Sequence, residues 1–167
     1  MVNIEIKGTG KYLPKNKVTS KELAKKFNVT EEFITKRTGI QNRYFSKDET
    51  IVQMAIKAVQ NALENSKIEK SEIDFIIIAT TTTNELMPGI SYRLQKFFDL
   101  DNCMCLDILA GCSGFINAFD IAVNYIKIGK IKNAIVVGVD ILSKFTNKDD
   151  IGTAIILSDG AGATIIG

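Results

Sequence analysis

Two long apolar runs most constrain how this chain folds. They are IDFIIIATTTT at residues 73–83 and NAIVVGVDIL at residues 133–142, and neither alternates with polar side chains. Continuous apolar runs of this length are typical of strands that are covered on both faces, as in parallel sheets. The runs are separated by segments with helical periodicity, so the sequence predicts a layered α/β fold.

Helical segments fill most of the remaining sequence. In residues 49–65, apolar side chains recur at three- and four-residue spacing, which indicates an amphipathic helix. The predicted helices cover 21–27, 31–37, 49–65, 89–98 and about 113–127. Their expected boundary residues are Ser20 and Thr30 as caps, Ser46 with Glu49 as a capping box, Pro88 as a helix start, and Gly129 as the last helix end.

Further strands are expected near both ends of the chain. Residues 2–8 alternate like a strand and are followed by an expected loop over 8–20, while CMCLDI at 103–108 is another strand. Residues 153–167 are interpreted as two strands joined by a glycine-rich turn. Together these elements predict a mixed, mostly parallel five-stranded sheet with helices on both faces, in one domain spanning residues 1–167.

The bulk composition excludes several classes of function. The formal net charge is +2 and the charges are scattered, which argues against a nucleic-acid surface. No apolar run approaches the roughly 20 residues of a membrane span, and the N-terminus lacks a signal-peptide pattern, so we expect a cytoplasmic protein with no membrane partner. Three cysteines with no histidine fit neither a disulfide framework nor a usual metal site.

Cys112 is the residue most suited to chemistry. It lies between Gly111 and Gly114, where a strand-like run gives way to a helix-like one. A thiol at a helix N-terminus is expected to have a lowered pKa, and the nearby N–H groups are placed to stabilise an oxyanion. The following helix is apolar on nearly every side, so we expect it to be buried and the thiol to lie at the inner end of a pocket. The alternative is that Cys112 merely fills space, the role we assign to Cys103 and Cys105.

The segment AGCSGFINAFDIA around Cys112 resembles the nucleophile motif of β-ketoacyl-acyl-carrier-protein synthase III, which has a thiolase-like fold. The segments GTGKYLPKNKVTSKEL, TEEFITKRTGIQNRYF, IDFIIIATTTTNELMPG, AIVVGVDILSKF and SDGAGATIIG resemble the other signatures of that family, in the same order. The resemblance covers the whole chain but corresponds only to the N-terminal half of the family's two-part fold. The half that carries the family's catalytic histidine and asparagine is expected to be absent.

The resemblance implies an acyltransferase of type II fatty-acid synthesis. Cys112 would take the acetyl group of acetyl-CoA as a thioester, and condensation with malonyl-acyl carrier protein would give acetoacetyl-acyl carrier protein. The implied partners are acyl carrier protein, acyl-CoA and a second copy of the chain, with acetyl-CoA as substrate and no cofactor. Because this chain has no histidine, it alone is expected to lack full condensing activity.

The same resemblance assigns binding residues. Arg37 and Phe33 match CoA-binding positions, with phenylalanine in place of the family's tryptophan, and Ile151 stands where many members have a second CoA-facing arginine. The acyl-pocket positions are Met87, Leu142 and Leu157. A surface salt bridge for Arg37 and core packing for the three apolar residues are the alternatives.

Three other interpretations stay open on the sequence. One is a related ketosynthase of secondary metabolism, or another thiolase-like relative such as HMG-CoA synthase. The second is a non-catalytic dimerisation domain. The third, a nucleotide-binding module, is disfavoured because SDGAGA lacks both the Lys-Ser/Thr ending of a phosphate loop and the G-x-G-x-x-G spacing.

Overall fold

The structure is a computed structural model that describes residues 3–167. Its strands are β1 Ile6–Tyr12, β2 Asn16–Thr19, β3 Asn42–Phe45, β4 Phe75–Ala79, β5 Met104–Ile108, β6 Ala134–Ile141 and β7 Asp159–Ile166. Its α-helices are α1 Ser20–Phe27, α2 Glu31–Thr38, α3 Ile51–Glu64, α4 Ile90–Phe98, α5 Gly114–Lys127 and α6 Ile151–Ala154. No helix among these residues is long and apolar enough to cross a membrane.

The chain forms two compact units. The first, here called the sheet unit, contains the segment up to Tyr12 together with Thr50–Asp140 and Ala161–Gly167. The second, here called the insertion unit, contains Leu13–Glu49 and Ile141–Gly160. Both units are therefore assembled from segments that are far apart in the sequence.

The sheet unit is built on a mixed five-stranded sheet with the strand order β1-β7-β6-β4-β5. Strand β4 pairs in parallel with both β5 and β6, whereas β1 pairs antiparallel with β7. The predicted fold class is confirmed. The two apolar runs that predicted buried strands are β4, which is buried at every residue, and β6.

Helices cover both faces of this sheet. On one face, a Cβ atom added at Gly8 or Gly10 of β1 would collide with the backbone of α3, so the two glycines permit a close approach of that helix. Gly8 lies opposite Ile165 of β7, and directly opposed residues point to the same face. The next residue, Ile166, points the other way and packs in the cluster that contains α5.

The cluster under α5 is a core of alternating strand residues against small helix residues. Phe75, Ile77 and Ala79 of β4 meet Ala118 and Ala122 of α5. The four-residue spacing puts the two alanines on one helix face, which lets the helix approach the sheet. The expectation that α5 is buried on nearly every side was wrong, because Ile116 is 67% exposed and polar residues share its outer face.

The N-terminal prediction was wrong in its boundaries. The strand begins at Ile6 rather than residue 2, which lies outside the described residues, and it continues to Tyr12 through part of the expected loop. Pairing with β7 extends it, since Lys11 and Tyr12 lie opposite Gly162 and Ala161. The rest of the expected loop contains β2, which pairs antiparallel with β3 in the insertion unit.

The C-terminal prediction of two strands was also wrong. Residues 151–154 form the short helix α6, whose first turn is capped by Asp150 through the N–H groups of Gly152 and Thr153, both 3.1 Å from a carboxylate oxygen. The two glycines of SDGAGA, Gly160 and Gly162, do not form a turn but lie within β7. Pairing with β1 explains this difference. The partner strand supplies hydrogen bonds to the backbone of these glycines, which keeps the segment extended.

Two helix starts differ from the predicted ones. Thr19, not Ser20, caps α1 in a capping box with Glu22, and Thr50 with Gln53 caps α3 in the same way. The predicted Thr30 cap of α2 is confirmed by its hydroxyl, which accepts from the Phe33 N–H at 3.1 Å. Helix α4 begins two residues after Pro88, with Gly89 as its N-cap.

Candidate active site

Cys112 lies at the junction between β5 and α5. It is the middle residue of a single 3₁₀ turn, Gly111–Ser113, which runs directly into α5 at Gly114. Gly111 has a φ of +57°, a left-handed conformation that favours glycine, and it lets the chain reverse between strand and helix. The predicted position of the thiol just before a helix is therefore confirmed.

The N-terminus of α5 is open to a ligand. No side chain caps its first turn, and the Ser113 hydroxyl instead donates to the Ala110 carbonyl at 2.9 Å. The first N–H groups of a helix carry a partial positive charge, which favours an anionic sulfur or oxygen beside them. A Cβ atom at Gly114 would lie 3.1 Å from the Ala79 Cβ, so a glycine allows α5 to begin close against β4.

Cys112 is exposed, which corrects the expectation that it sits at the inner end of a pocket. The thiol is exposed because it lies on the same outward-facing side as Ile116 and Asn117 of α5, which are also exposed. Leu109, just before the 3₁₀ turn, is 68% exposed as well. Within the sheet unit, the thiol is thus accessible to a thioester without any movement of the core.

The other two thiols differ from Cys112 in their surroundings. Burial, with smaller contributions from Cys105 and Asp74, raises the pKa of Cys103 to about 12. Burial and the Asp107 carboxylate raise the pKa of Cys105 to about 11. Both thiols therefore stay protonated near neutral pH, as expected of packing residues.

A carboxylate that the sequence analysis missed organises the segment after β4. Asp140 Oδ1 on β6 accepts from the Thr81 N–H at 2.7 Å and from the hydroxyls of Thr80, Thr81 and Thr82 at 3.2, 2.9 and 3.0 Å. The sequence feature that could have indicated this carboxylate is the run of four threonines, because four adjacent hydroxyls at a strand end need acceptors. This segment leads to Met87, which is 87% exposed and belongs to the sheet unit.

A second missed carboxylate begins the next helix. Asp107 on β5 accepts from the Ser91 N–H at 2.9 Å, and a Cβ atom at Gly89 would collide with its carboxylate. The N-cap of α4 is that glycine, which has no side chain to offer, so a neighbouring strand supplies the capping group.

The predicted CoA-binding residues lie together in the insertion unit. The Arg37 guanidinium lies 3.6 Å from the centroid of the Phe33 ring, one helical turn away on α2. No carboxylate among residues 3–167 lies within ion-pairing distance of Arg37, so this cation–π contact takes the place of the alternative salt bridge. Ile151 packs against the same apolar cluster as Phe33.

The remaining predicted pocket residues are divided between the two units. Leu142 begins the 3₁₀ turn after β6, and Leu157 follows α6; both are half-buried and belong to the insertion unit. Met87 and Cys112 belong to the sheet unit. Among residues 3–167, no group of three or more histidine, cysteine, aspartate or glutamate side chains is placed to hold a metal ion.

Sequence comparisons identify what the chain is similar to. Residues 106–167 match the profile of the 3-oxoacyl-[acyl-carrier-protein (ACP)] synthase III family. The β-ketoacyl-[acyl-carrier-protein] synthase III of Clostridium novyi is 40% identical over 99% of this chain, and that of Aquifex aeolicus is 41% identical over 97%. The chain covers 51% and 52% of those proteins, so it spans about half the length of the curated relatives it matches.

Solved structures agree on the fold. The crystal structure of the Aquifex aeolicus 3-oxoacyl-[acyl-carrier-protein] synthase III matches 98% of this chain and 53% of its own, with a TM-score of 0.91 at 41% identity. The priming β-ketosynthase of the R1128 polyketide pathway also has a TM-score of 0.91, at 32% identity, over 98% of this chain and 49% of its own.

Proposed function

This chain is a homologue, along nearly its whole length, of one half of the β-ketoacyl-[acyl-carrier-protein] synthase III proteins, and from that premise we propose that it is the N-terminal, acyl-accepting half of such a condensing enzyme. The donor is acetyl-CoA and the enzyme works in the cytoplasm. In this proposal Cys112 is the nucleophile, and Phe33 and Arg37 are CoA contacts.

The acylation step needs only what surrounds Cys112. The thiolate attacks the thioester carbonyl of acetyl-CoA, a new sulfur–acyl bond forms, and the bond to the CoA sulfur breaks. CoA leaves as a thiolate and takes up a proton. The N–H groups at the open start of α5 stabilise both the thiolate and the oxyanion of the tetrahedral intermediate.

The observation that carries the proposal is the position of Cys112, an exposed thiol at an uncapped helix start in a chain that is 40% identical to these enzymes throughout. A thiol that only fills space would be expected to be buried, as Cys103 is. The exposure of Cys112 therefore argues against a packing role for this thiol.

The test is covalent acetylation of the chain by acetyl-CoA, followed by intact-mass analysis and peptide mapping. We expect one acetyl group on Cys112 and none in the Cys112→Ser variant. The matched control is Cys105→Ser, which removes a half-buried thiol and should leave acetylation unchanged. Acetylation that persists in Cys112→Ser, or no acetylation of the unmodified chain, would contradict the proposal.

The condensing step is expected to fail in this chain alone. Decarboxylation of malonyl-acyl carrier protein develops negative charge on the thioester oxygen, and in the family it relies on a histidine, of which this chain has none. Loss of one oxyanion donor typically costs about 10²–10³ in rate. We therefore expect acetyl-Cys112 to accumulate when malonyl-acyl carrier protein is added, with no acetoacetyl product.

A second copy of the chain is the proposed partner of the sheet unit. Strand β5 is at the edge of the sheet, and its residues Met104 and Leu106 are 37% and 36% exposed. An edge strand with apolar side chains is suited to pairing with another strand. Sedimentation of the Leu106→Lys variant as a monomer, against a dimer for the unmodified chain, is the expected result; equal sedimentation of both would argue against this interface.

The priming ketosynthase of polyketide synthesis is the second candidate, because its crystal structure has the same TM-score as that of the fatty-acid enzyme. The exposed, flexible Met87 at the predicted acyl pocket is compatible with acyl groups longer than acetyl. Competition between acetyl-CoA and a branched acyl-CoA for Cys112 separates the two. Strict preference for acetyl supports the fatty-acid enzyme, and preference for the branched donor supports the polyketide one.

A further inference from the structure

Arg43 is a fully buried arginine of β3, with 0% of its surface exposed. No carboxylate among residues 3–167 lies within ion-pairing distance of its guanidinium. Arginine is almost never fully buried without an anionic partner, since removing the charge from water is costly. The burial of this charge therefore has to be explained by the groups that surround the guanidinium.

The guanidinium instead binds neutral oxygens on three different elements of the insertion unit. Its Nε and Nη2 atoms donate to the Ile155 carbonyl at the end of α6, at 3.1 and 2.5 Å. Its Nη1 atom donates to the hydroxyl of Ser20, the first residue of α1, at 2.6 Å, and to the Ile40 carbonyl at 3.4 Å. The planar arrangement of five donors fixes the relative positions of these acceptors in a way that a lysine ammonium does not.

Each acceptor is connected to the helix α2. The Ile40 N–H donates to the Thr38 hydroxyl at 3.0 Å, and that hydroxyl donates to the Ile34 carbonyl at 2.9 Å, so the position of Ile40 determines the C-terminal end of α2. Ser20 donates to the same Ile40 carbonyl at 2.6 Å.

The carbonyl of Ile155 connects α6 to the same region. The side chain of Ile155 belongs to the buried cluster that includes Ile34, and Phe33 and Ile151 pack against that cluster. Arg43 therefore binds the backbone that follows α2 and the backbone at the end of α6, and α2 carries the residues proposed to contact CoA.

We infer that Arg43 is a positioning residue for the nucleotide end of the acyl donor: by tying together the start of α1, the chain after α2 and the end of α6, it holds Phe33 and Arg37 in the orientation that binds acyl-CoA. This inference rests on the proposed function. It places Arg43 behind the binding face, where it makes no contact with substrate and plays no part in the thioester chemistry.

The test compares two donors that differ only in the nucleotide end. Acetyl-CoA carries the nucleotide, whereas the acetyl thioester of N-acetylcysteamine lacks it and still acetylates a thiol. In the Arg43→Lys variant we expect the half-saturating concentration of acetyl-CoA to rise about tenfold, since small misplacements of binding groups cost this much or more. The acetylation rate with the short thioester should stay within about twofold of the unmodified chain.

Ser20→Ala is the second variant, because a lysine at position 43 carries a risk of misfolding. It removes one guanidinium contact and the hydrogen bond to Ile40. We therefore expect the half-saturating concentration of acetyl-CoA to rise about threefold, while the acetylation rate with the short thioester stays unchanged. The matched control is Ser158→Ala, which removes two hydrogen bonds to Tyr44 of the same strand, at 2.8 and 3.0 Å, without touching α2. It should leave both donors unaffected.

The results separate this inference from the proposed function. If Ser20→Ala or a folded Arg43→Lys impairs acetylation by both donors equally, or by neither, Arg43 is only structural and the inference is wrong. Acetylation of the unmodified chain by acetyl-CoA would still support the proposed function. If acetyl-CoA does not acetylate the unmodified chain at all, the proposed function fails and takes this inference with it.

Discussion

The Asp140 network provides a quantitative test of the structure. One carboxylate oxygen on β6 receives four hydrogen bonds from the three threonines that follow β4. The substitution Asp140→Ala removes this acceptor oxygen and with it all four hydrogen bonds. The segment beyond the threonines leads to Met87, so the change also loosens part of the candidate site.

The expected loss of stability follows from the burial of each donor. Thr80 and Thr82 are only 3% and 2% exposed, so their hydroxyls lose an acceptor that water does not readily replace. A buried donor left unsatisfied costs about 1–3 kcal/mol. Thr81 is exposed and contributes little, because water takes over its bonds. The total is about 3 kcal/mol, which corresponds to a fall in Tm of about 6–12 °C for a chain of this size.

Urea unfolding monitored by circular dichroism measures the change. Asp140→Asn keeps one acceptor oxygen of the same shape and loses only the charge, so it should cost about 1 kcal/mol. Asp120→Ala is the control: its carboxylate is exposed on α5 and accepts from Asn124 at 3.0 Å, and the expected change is within about 0.5 kcal/mol. An unfolding free energy for Asp140→Ala equal to that of the Asp120 control would refute the reasoning.

Three further predictions concern the sheet unit. Gly10→Ala should destabilise the chain by about 1–3 kcal/mol in urea unfolding, because the added methyl group meets the α3 backbone at Ala58, and unchanged stability would mean that α3 does not pack this closely. Alkylation of the native chain with iodoacetamide near pH 8 should modify Cys112 alone, because burial raises the pKa of Cys103 to about 12 and of Cys105 to about 11. Because these two thiols release protons more readily when unfolded, stability should also fall as pH rises above their ordinary pKa near 9, and a flat profile between pH 9 and 11 would contradict those shifts.

The sheet was predictable where the pattern was uninterrupted. The apolar stretches FIIIA of β4 and AIVVGV of β6 carry their own evidence of burial, because no polar side chain interrupts either one. Strand β7 was not predictable, since its glycines are typical of a turn and only pairing with β1, at the other end of the chain, makes them extended. The residue pattern within β7 gives no information about this pairing with a distant strand.

Helix starts show a different limit. Ser46 and Glu49 match the capping-box pattern and do form a hydrogen bond, at 3.2 Å, yet the cap of α3 is made by Thr50 with Gln53, four residues later. Both pairs satisfy the same rule, so the sequence does not choose between them. Thr19 with Glu22 also fits the rule, and that spacing would have placed the start of α1 correctly.

The candidate site was predictable only in its local geometry. The glycines around Cys112 indicated a strand-to-helix junction, and the structure has one there. The exposure of the thiol was not predictable, because it depends on which face of α5 meets β4. Asp140 and Arg43 were missed for a similar reason: their partners lie about 60 and 110 residues away in the sequence.

The pairing of β1 with β7 has a consequence for biosynthesis. Strand β1 leaves the ribosome before β7, its neighbour in the sheet of residues 3–167, which is made about 150 residues later. Until then β1 lacks the strand that it pairs with in the described part of the chain, and its backbone N–H and C=O groups are open to other chains. Closure of such a distant contact is slow, so we expect the β1 edge of the sheet to form late in folding.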